Sequence, residues 1–321
     1  MGFKDVEVVI YMGEYQILGG KRLSGRLRIT GGKNAVLPIL ASTVINKGES
    51  VIHNCPMISD TLTTVAILKS LGCSVKTEGS TMIVNSAPAC RWEVPEELVR
   101  EMRSSTLFMG GLLGRFGKVT ICRPGGCDIG ERPIDLHEAA LTLLGAHIRK
   151  EHGFLYCETE GLSGAKIVLG FPSVGATENA MIAAVCAEGD TSIQNAAREP
   201  EIVDLQKFLN SMGADVRGAG TGRIEITGGR RLGRAEHTVM PDRITAGTYL
   251  IAAAITGGNV LLTHVAPDHL TPVTSKLQEA GCEIKEGAST IFLDAPSALR
   301  SVSRIRTQPH PGLPERVKGR F

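Results

Sequence analysis

Apolar residues recur at helical spacing in four stretches, 64–71, 136–144, 205–212 and 273–280, and each stretch runs into a glycine followed by alternating β-branched and polar positions. The junctions are Leu71-Gly72-Cys73-Ser74-Val75, Leu144-Gly145-Ala146-His147-Ile148, Met212-Gly213-Ala214-Asp215-Val216 and Ala280-Gly281-Cys282-Glu283-Ile284. A glycine there predicts the C-terminal stop of a helix, with a strand to follow. The intervals between the four glycines are 73, 68 and 68 residues, the signature of an internal repeat.

The match extends backwards. Gly48, Gly189 and Gly257 each stand 24 residues before the closing glycine, and each opens a short β-rich stretch (50–52, 191–193, 259–262). Ala-rich helical patterns precede those stretches at 34–45, 179–188 and 246–256, and Leu23-Ser24-Gly25 and Leu162-Ser163-Gly164 open the first and third repeats. One unit therefore predicts strand, helix, strand, helix, strand (βαβαβ) over about 68 residues, four times. In the second repeat the matching Gly117 lies 28 residues before Gly145, so four extra residues fall in the Gly-rich stretch 123–130 that contains Cys127. An irregularity confined to one loop on a regular scaffold marks that loop for function, although a plain surface insertion has the same spacing.

Composition sharpens the picture. A chain of 321 residues exceeds the usual size of one core, which predicts two compact units. Hydrophobic residues make up 42% and charged residues 21%, which excludes a disordered chain. Aromatics are only 4% against 38 glycines, so the interior must be built from small aliphatic side chains. A net charge of +2 argues against a nucleic-acid partner; Arg300, Arg304, Arg306, Arg316, Lys318 and Arg320 crowd the end without aromatic residues for stacking, and predict a solvated tail. The eight cysteines form no C-x-x-C pair or zinc-ligand spacing, so no metal is expected and most are predicted as core fillers. No leader pattern occurs near Met1 and no apolar stretch is long enough to span a bilayer, which predicts a soluble cytoplasmic chain without a membrane partner.

Several groups could carry chemistry. Gly31-Gly32-Lys33-Asn34 lies between the predicted strand 27–30 and a helix, bringing free backbone amides, a positive helix end and an ammonium together as an anion site, or forming a plain turn with a solvated lysine. Arg103 and Arg132 suit bidentate capture of carboxylate or phosphate, though either alone is also an ordinary surface arginine. Arg123 and Arg132 favour the thiolate of Cys127, while Asp128 and Glu131 oppose it. The stretch 171–177 offers main-chain donors and a serine, suited to a neutral sugar or nucleotide edge. Glu199, Glu201, Asp204 and Asp242 follow turns and are read first as helix caps, second as partners for buried arginines.

Six ordered motifs then carry a resemblance. Gly31-Gly32-Lys33-Asn34-Ala35-Val36-Leu37-Pro38, Met102-Arg103-Ser104-Ser105, Pro124-Gly125-Gly126-Cys127 with Ile129-Gly130 and Arg132-Pro133-Ile134-Asp135-Leu136-His137, Phe171-Pro172-Ser173-Val174-Gly175-Ala176-Thr177-Glu178-Asn179, Arg198-Glu199-Pro200-Glu201-Ile202-Val203-Asp204 and Pro241-Asp242-Arg243-Ile244 resemble the UDP-N-acetylglucosamine 1-carboxyvinyltransferase family of enolpyruvyl transferases, in order from about Gly19 to Pro314. The resemblance implies an α/β fold, an inside-out α/β barrel of repeated units in two domains: a catalytic-loop domain of three repeats over 34–240, and a second, incomplete domain from 1–33 plus 241–321. It implies enolpyruvyl transfer from phosphoenolpyruvate to the 3′-hydroxyl of UDP-N-acetylglucosamine, the first step of peptidoglycan precursor synthesis in the cytoplasm, without metal or organic cofactor. Cys127 would be the catalytic proton donor. Lys33, Asn34 and Arg132 would bind phosphoenolpyruvate, and Arg103, Arg132, Pro133, Ile134, Asp135, Leu136, Ser173, Val174 and Gly175 the UDP-sugar.

Departures from the family pattern lie in the loop and at the end. Asp128 and Glu131 replace alanines, and the family's Pro-His-Pro-Gly-Phe-Pro-Thr-Asp reads Pro309-His310-Pro311-Gly312-Leu313-Pro314-Glu315-Arg316, with Arg316 in place of the general-base aspartate. A family about a hundred residues longer leads to the expectation of a truncated or frameshifted end and impaired turnover. A non-catalytic UDP-sugar-binding or structural remnant stands as the alternative, and the shikimate-pathway relative is disfavoured by the cysteine loop.

Overall fold

The computed structural model describes residues 8–11, 14–17, 19–123, 134–303 and 305–313. A short antiparallel hairpin, β1 (Val8–Tyr11) and β2 (Glu14–Ile17), precedes the repeats. The first repeat is β3 (Ser24–Arg28), α1 (Lys33–Ser42) continued by a 3-10 turn Thr43–Ile45, β4 (Glu49–His53), α2 (Ser59–Ser70), β5 (Ser74–Glu78) and β6 (Thr81–Asn85). The second is α3 (Glu96–Glu101), a 3-10 turn Arg103–Leu107, α4 (Phe108–Phe116), β7 (Lys118–Cys122), α5 (Asp135–Leu143), β8 (His147–Glu151) and β9 (Phe154–Glu158). The third is β10 (Lys166–Val168), α6 (Val174–Cys186), β11 (Asp190–Gln194), α7 (Pro200–Ser211), β12 (Asp215–Arg217) and β13 (Arg223–Thr227). The fourth is β14 (Ala235–Thr238), α8 (Arg243–Ile255), β15 (Asn259–Thr263), α9 (Thr271–Glu279), β16 (Glu283–Gly287) and β17 (Thr290–Asp294).

The four closing glycines have φ between 97° and 103°, a left-handed conformation open to glycine at little cost, so the sequence repeat is also a backbone repeat. The expected βαβαβ unit is corrected: each repeat closes with an antiparallel hairpin, not one strand. In the first, second and fourth repeats the hairpin turn is two residues, short enough to hide within one alternating stretch, whereas the third uses the five residues 218–222. His152 and Gly153, at φ 49° and 81°, make the tightest case, with the two positive-φ residues that a two-residue hairpin turn favours. Among the described residues the second repeat also shows no leading strand; Glu93 makes a single parallel bridge to Thr120 in its place.

Strand pairing divides the chain. In the third repeat the leading strand β10 pairs in parallel with its own β11. The first and fourth repeats exchange leading strands, β14 pairing with β4 and β3 with β15. The sheets β14-β4-β6-β5, β7-β9-β8 and β10-β11-β13-β12 thus belong to one compact unit, Lys33–Met240, and β3-β15-β17-β16 to a second formed by 1–32 and 241–321. In the 33–240 unit, α1 is buried from Ala35 to Ser42 and α6 from Ala176 to Val185, whereas the sheet strands alternate buried and half-exposed positions. Helices buried all round with sheets outside them are the inside-out α/β arrangement.

Close helix approach makes this interior possible. A Cβ on Gly110 of α4 would lie 2.5 Å from the carbonyl oxygen of Asn179 in α6, and one on Gly114 would lie 2.6 Å from Cys186 Sγ. Phe108 and Phe208 are the largest fully buried side chains of the described residues, and removing either ring would cost about 3–5 kcal/mol. The second unit packs α8 through Leu250 and Ile251 against Val260, Leu262, Ile291 and Leu293 of its sheet.

Candidate functional site

Helix starts in the 33–240 unit present most of the sequence-predicted residues. Lys33 and Asn34 open α1, both half-buried. The ammonium of Lys33 does not stand alone there, as the sequence suggested: its Nζ lies 2.5 Å from Asp60 Oδ2 in the first turn of α2. Asp60 holds the lysine in place and lowers the net positive charge at the α1 start.

A second group gathers around α6. Ser173 caps the helix, its Oγ accepting from the Ala176 amide at 3.4 Å, and Val174 and Gly175 follow in the first turn. Thr177 braces the turn, its hydroxyl donating to the Ser173 carbonyl (2.8 Å) and accepting from the Ala197 amide (3.1 Å). Across from it Ile134, buried, precedes α5; Asp135 is exposed at its first position and Leu136 packs against the core. Asp135 and Glu138 place two carboxylates in that first turn, where the helix dipole favours them.

Asn179, fully buried, ties these elements together. Its side chain accepts from the Gly110 amide of α4 (2.6 Å), donates to the Thr106 carbonyl of the 103–107 turn (2.9 Å), and reaches Nδ1 of His137 in α5 (3.0 Å). Arg103 heads that same 3-10 turn, and its charge opposes protonation of His137. Burial is the larger cause, and together they push the imidazole down to about 4. Arg103, Asp135, Leu136, Ser173, Val174 and Gly175 are thus carried by segments that converge on one side chain. Lys33 is tied to α2 instead, and Asn34 follows it on α1, a helix that packs beside the 103–107 turn.

Cys127, Arg132 and Pro133 lie outside the described residues. The described residues on either side are Arg123, whose amide donates to the Gly153 carbonyl at 2.7 Å, and Ile134. Most of the remaining cysteines fill the core, as expected, with Cys186 half-buried. Cys55, Cys73, Cys122, Cys157 and Cys282 are buried, but Cys90 is exposed.

The carboxylates divide. Asp242 caps α8, its Oδ1 accepting from the amides of Ile244 (2.8 Å) and Thr245 (3.0 Å). Asp204 is not a cap: it pairs with Nε2 of His237 (3.0 Å) and accepts from the Met240 amide (3.1 Å), joining α7 to the end of β14. Glu199 precedes α7 without capping it by its side chain. Sequence reasoning passed over Asp60, Glu178 and the role of Asn179. Glu178 is buried beside Glu201 and Glu199, and desolvation with their charges raises its pKa well above the carboxylate range. An acidic residue within the apolar face of an Ala-rich helix was the available signal for Glu178.

Among the described residues no His, Cys, Asp and Glu cluster suited to a metal ion is assembled, and no helix is long and apolar enough to cross a membrane.

Comparison with known proteins places this geometry. The family described as EPSP synthase (3-phosphoshikimate 1-carboxyvinyltransferase) matches residues 17–321. In the solved structures, the enolpyruvyl transferase NikO from Streptomyces tendae superposes with a TM-score of 0.78 at 23% identity, over 88% of this chain and 68% of that one. EPSP synthase from Acinetobacter baumannii gives 0.65 at 21%, over 87% and 66%. These share the fold. Sequence similarity is higher to UDP-N-acetylglucosamine 1-carboxyvinyltransferase 2 of Caldanaerobacter subterraneus subsp. tengcongensis, 48% identical over 94% of this chain and 73% of the relative. UDP-N-acetylglucosamine 1-carboxyvinyltransferase 1 of Symbiobacterium thermophilum is 49% identical over 97% and 72%. At 48–49% identity over more than nine-tenths of its length and about 72–73% of theirs, the protein belongs to the UDP-N-acetylglucosamine 1-carboxyvinyltransferase family.

Proposed function

We propose that this chain transfers the enolpyruvyl group of phosphoenolpyruvate to the 3′-hydroxyl of UDP-N-acetylglucosamine and releases phosphate. Identity of 48–49% to relatives bearing that activity in their names, over more than nine-tenths of the chain, carries the reading. Placement of Arg103, Asp135, Leu136 and Ser173–Gly175 on segments that meet at Asn179 supports it, because a sugar nucleotide needs several donors fixed at one place.

In the proposed reaction the 3′-oxygen bonds to C2 of phosphoenolpyruvate while the Cys127 thiol gives a proton to C3. The C2–O bond to phosphate then breaks as C3 returns its proton, restoring the double bond, and the hydroxyl proton leaves on phosphate. Charge builds on a carboxylate and a phosphate, and Lys33, Asn34 and Arg132 are assigned to neutralise it. Arg103, Arg132, Pro133, Ile134, Asp135, Leu136 and Ser173–Gly175 are assigned to the UDP-sugar. Both substrates are polyanions that do not cross membranes unaided, which supports work in the cytoplasm at the start of peptidoglycan precursor synthesis.

Phosphate release from the two substrates together, measured against Cys127→Ala, is the test. Release that requires both substrates and is lost in the variant is expected. Release without the UDP-sugar, or equal in both proteins, would overturn the assignment.

A further inference from the structure

The three contacts of the Asn179 side chain admit one orientation. The terminal atom 2.6 Å from the Gly110 amide meets an N–H and is Oδ1; the one 2.9 Å from the Thr106 carbonyl meets an acceptor and is Nδ2. Nδ2 has only protons to offer. Its contact with His137 Nδ1 is therefore a hydrogen bond only when Nδ1 carries the lone pair, which leaves the imidazole proton on Nε2. An imidazolium would set two donors against each other inside a helix contact.

The Nε2 edge of the ring lies against the first turn of α6: a Cβ on Gly175 would stand 3.2 Å from Nε2 and 3.1 Å from Cε1. His137 is 7% exposed, and among the described residues no acceptor meets its Nε2–H. At the same turn the amides of Val174 and Gly175 precede any carbonyl of their own helix that could reach them. A donor that no described acceptor meets, next to two helix amides with no carbonyl of their own, suits a ligand oxygen that bears negative charge.

We propose that Asn179 is a positioning residue: it holds His137 as the Nε2–H tautomer, so that this N–H joins the first amides of α6 in donating to an oxygen of the sugar nucleotide. The proposal rests on the assignment of Ser173–Gly175 to the UDP-sugar. Asn179→Asp would keep an acceptor for Gly110 but present a second acceptor to Nδ1, inverting the tautomer and turning a lone pair toward the ligand.

The full chain with ¹⁵N-labelled histidine reports the tautomer directly by NMR. Without ligand, His137 is expected to show a pyridine-like Nδ1 and a pyrrole-like Nε2, reversed in Asn179→Asp. Titration calorimetry with UDP-N-acetylglucosamine is expected to show at least about tenfold weaker binding for Asn179→Asp and for His137→Phe. His137→Gln, whose amide can donate, should recover most of it. If Asn179→Asp fails to fold, the Phe and Gln variants at His137 carry the test. A pyrrole-like Nδ1 in the unmodified protein, or unmodified affinity in His137→Phe, would overturn the proposal. Absence of any UDP-sugar heat from the unmodified protein would instead remove the underlying site assignment, and the proposal with it.

Discussion

Asn54, just past β4, donates its side-chain amide to the carbonyl of Val239 at 2.9 Å, across 185 residues of sequence. The Val239 amide returns a bond to the His53 carbonyl at 3.0 Å. The same clasp recurs where Asn195 donates to Leu169 (2.8 Å) and His264 Nδ1 meets the Ile29 carbonyl (3.1 Å), and the three residues share φ of 58°, 54° and 58°. Each clasp locks a leading strand onto the strand it pairs with. In the second repeat the corresponding position is Arg123, four residues before Cys127 in the sequence.

Replacing Asn54 should expose both parts of that clasp. Asn54→Ala loses the hydrogen bond and puts an alanine at positive φ, and is expected to cost about 2 kcal/mol. Asn54→Gly relieves the backbone and should cost about half as much. Urea denaturation of the two variants checks the order; equal losses would mean that backbone conformation is immaterial there.

Gly110 tests the close helix contact. Its missing Cβ would fall 2.5 Å from both Asn179 O and Asn179 Oδ1, and the backbone oxygen cannot rotate away. Gly110→Ala is therefore expected to destabilise by about 1–3 kcal/mol, despite alanine's better helix propensity. A melting temperature at or above that of the parent would show that α4 and α6 have slack.

Thiol reactivity should separate by environment. Burial pushes Cys55, Cys157 and Cys186 up to about 12 and Cys73 up to about 11, which leaves almost no thiolate at neutral pH. Maleimide should modify exposed Cys90 rapidly. In a Cys90→Ser background the next site mapped by mass spectrometry should be Cys127. Modification of Cys186 ahead of Cys127 would count against the loop assignment.

Asp60 bears on phosphoenolpyruvate through Lys33. The pair is partly exposed, with 39% and 26% of the side chains accessible, so its energy is discounted for solvent screening. Asp60→Asn removes a negative charge next to the proposed anion site and should tighten phosphoenolpyruvate binding about three- to tenfold. Weaker binding in calorimetry would show that orienting the ammonium matters more than charge.

Two buried groups impose opposite pH dependences on stability. His137 is driven from 6.5 to about 4, so its contribution is complete above 6.5 and is lost as pH falls toward 4 and the unfolded chain takes up the proton. Glu178 is raised well above 4.5, so the folded chain keeps a proton that the unfolded chain releases, and stability declines as pH rises above 4.5. Glu178→Gln should therefore stabilise the protein at about pH 8 relative to its parent and have less effect near about pH 5. Urea midpoints that shift equally at both pH values would rule out Glu178 as the source.

Local signals in the chain determined the repeat, its period and the helix starts, because a glycine at positive φ and apolar residues at helical spacing act within a few residues of themselves. The same local character made the motif residues at Lys33, Arg103 and Ser173 legible as candidate binding groups. Hairpin turns of two residues were not legible, since they leave the alternation nearly unbroken. The exchange of β3 and β14 was decided in three dimensions, because any repeat's leading strand offers similar edges and only tertiary pairing selects among them. Asn179 looked like one polar residue in an Ala-rich helix. Its meaning arose once three segments brought an N–H, a carbonyl and an imidazole to a side chain with no water to compete.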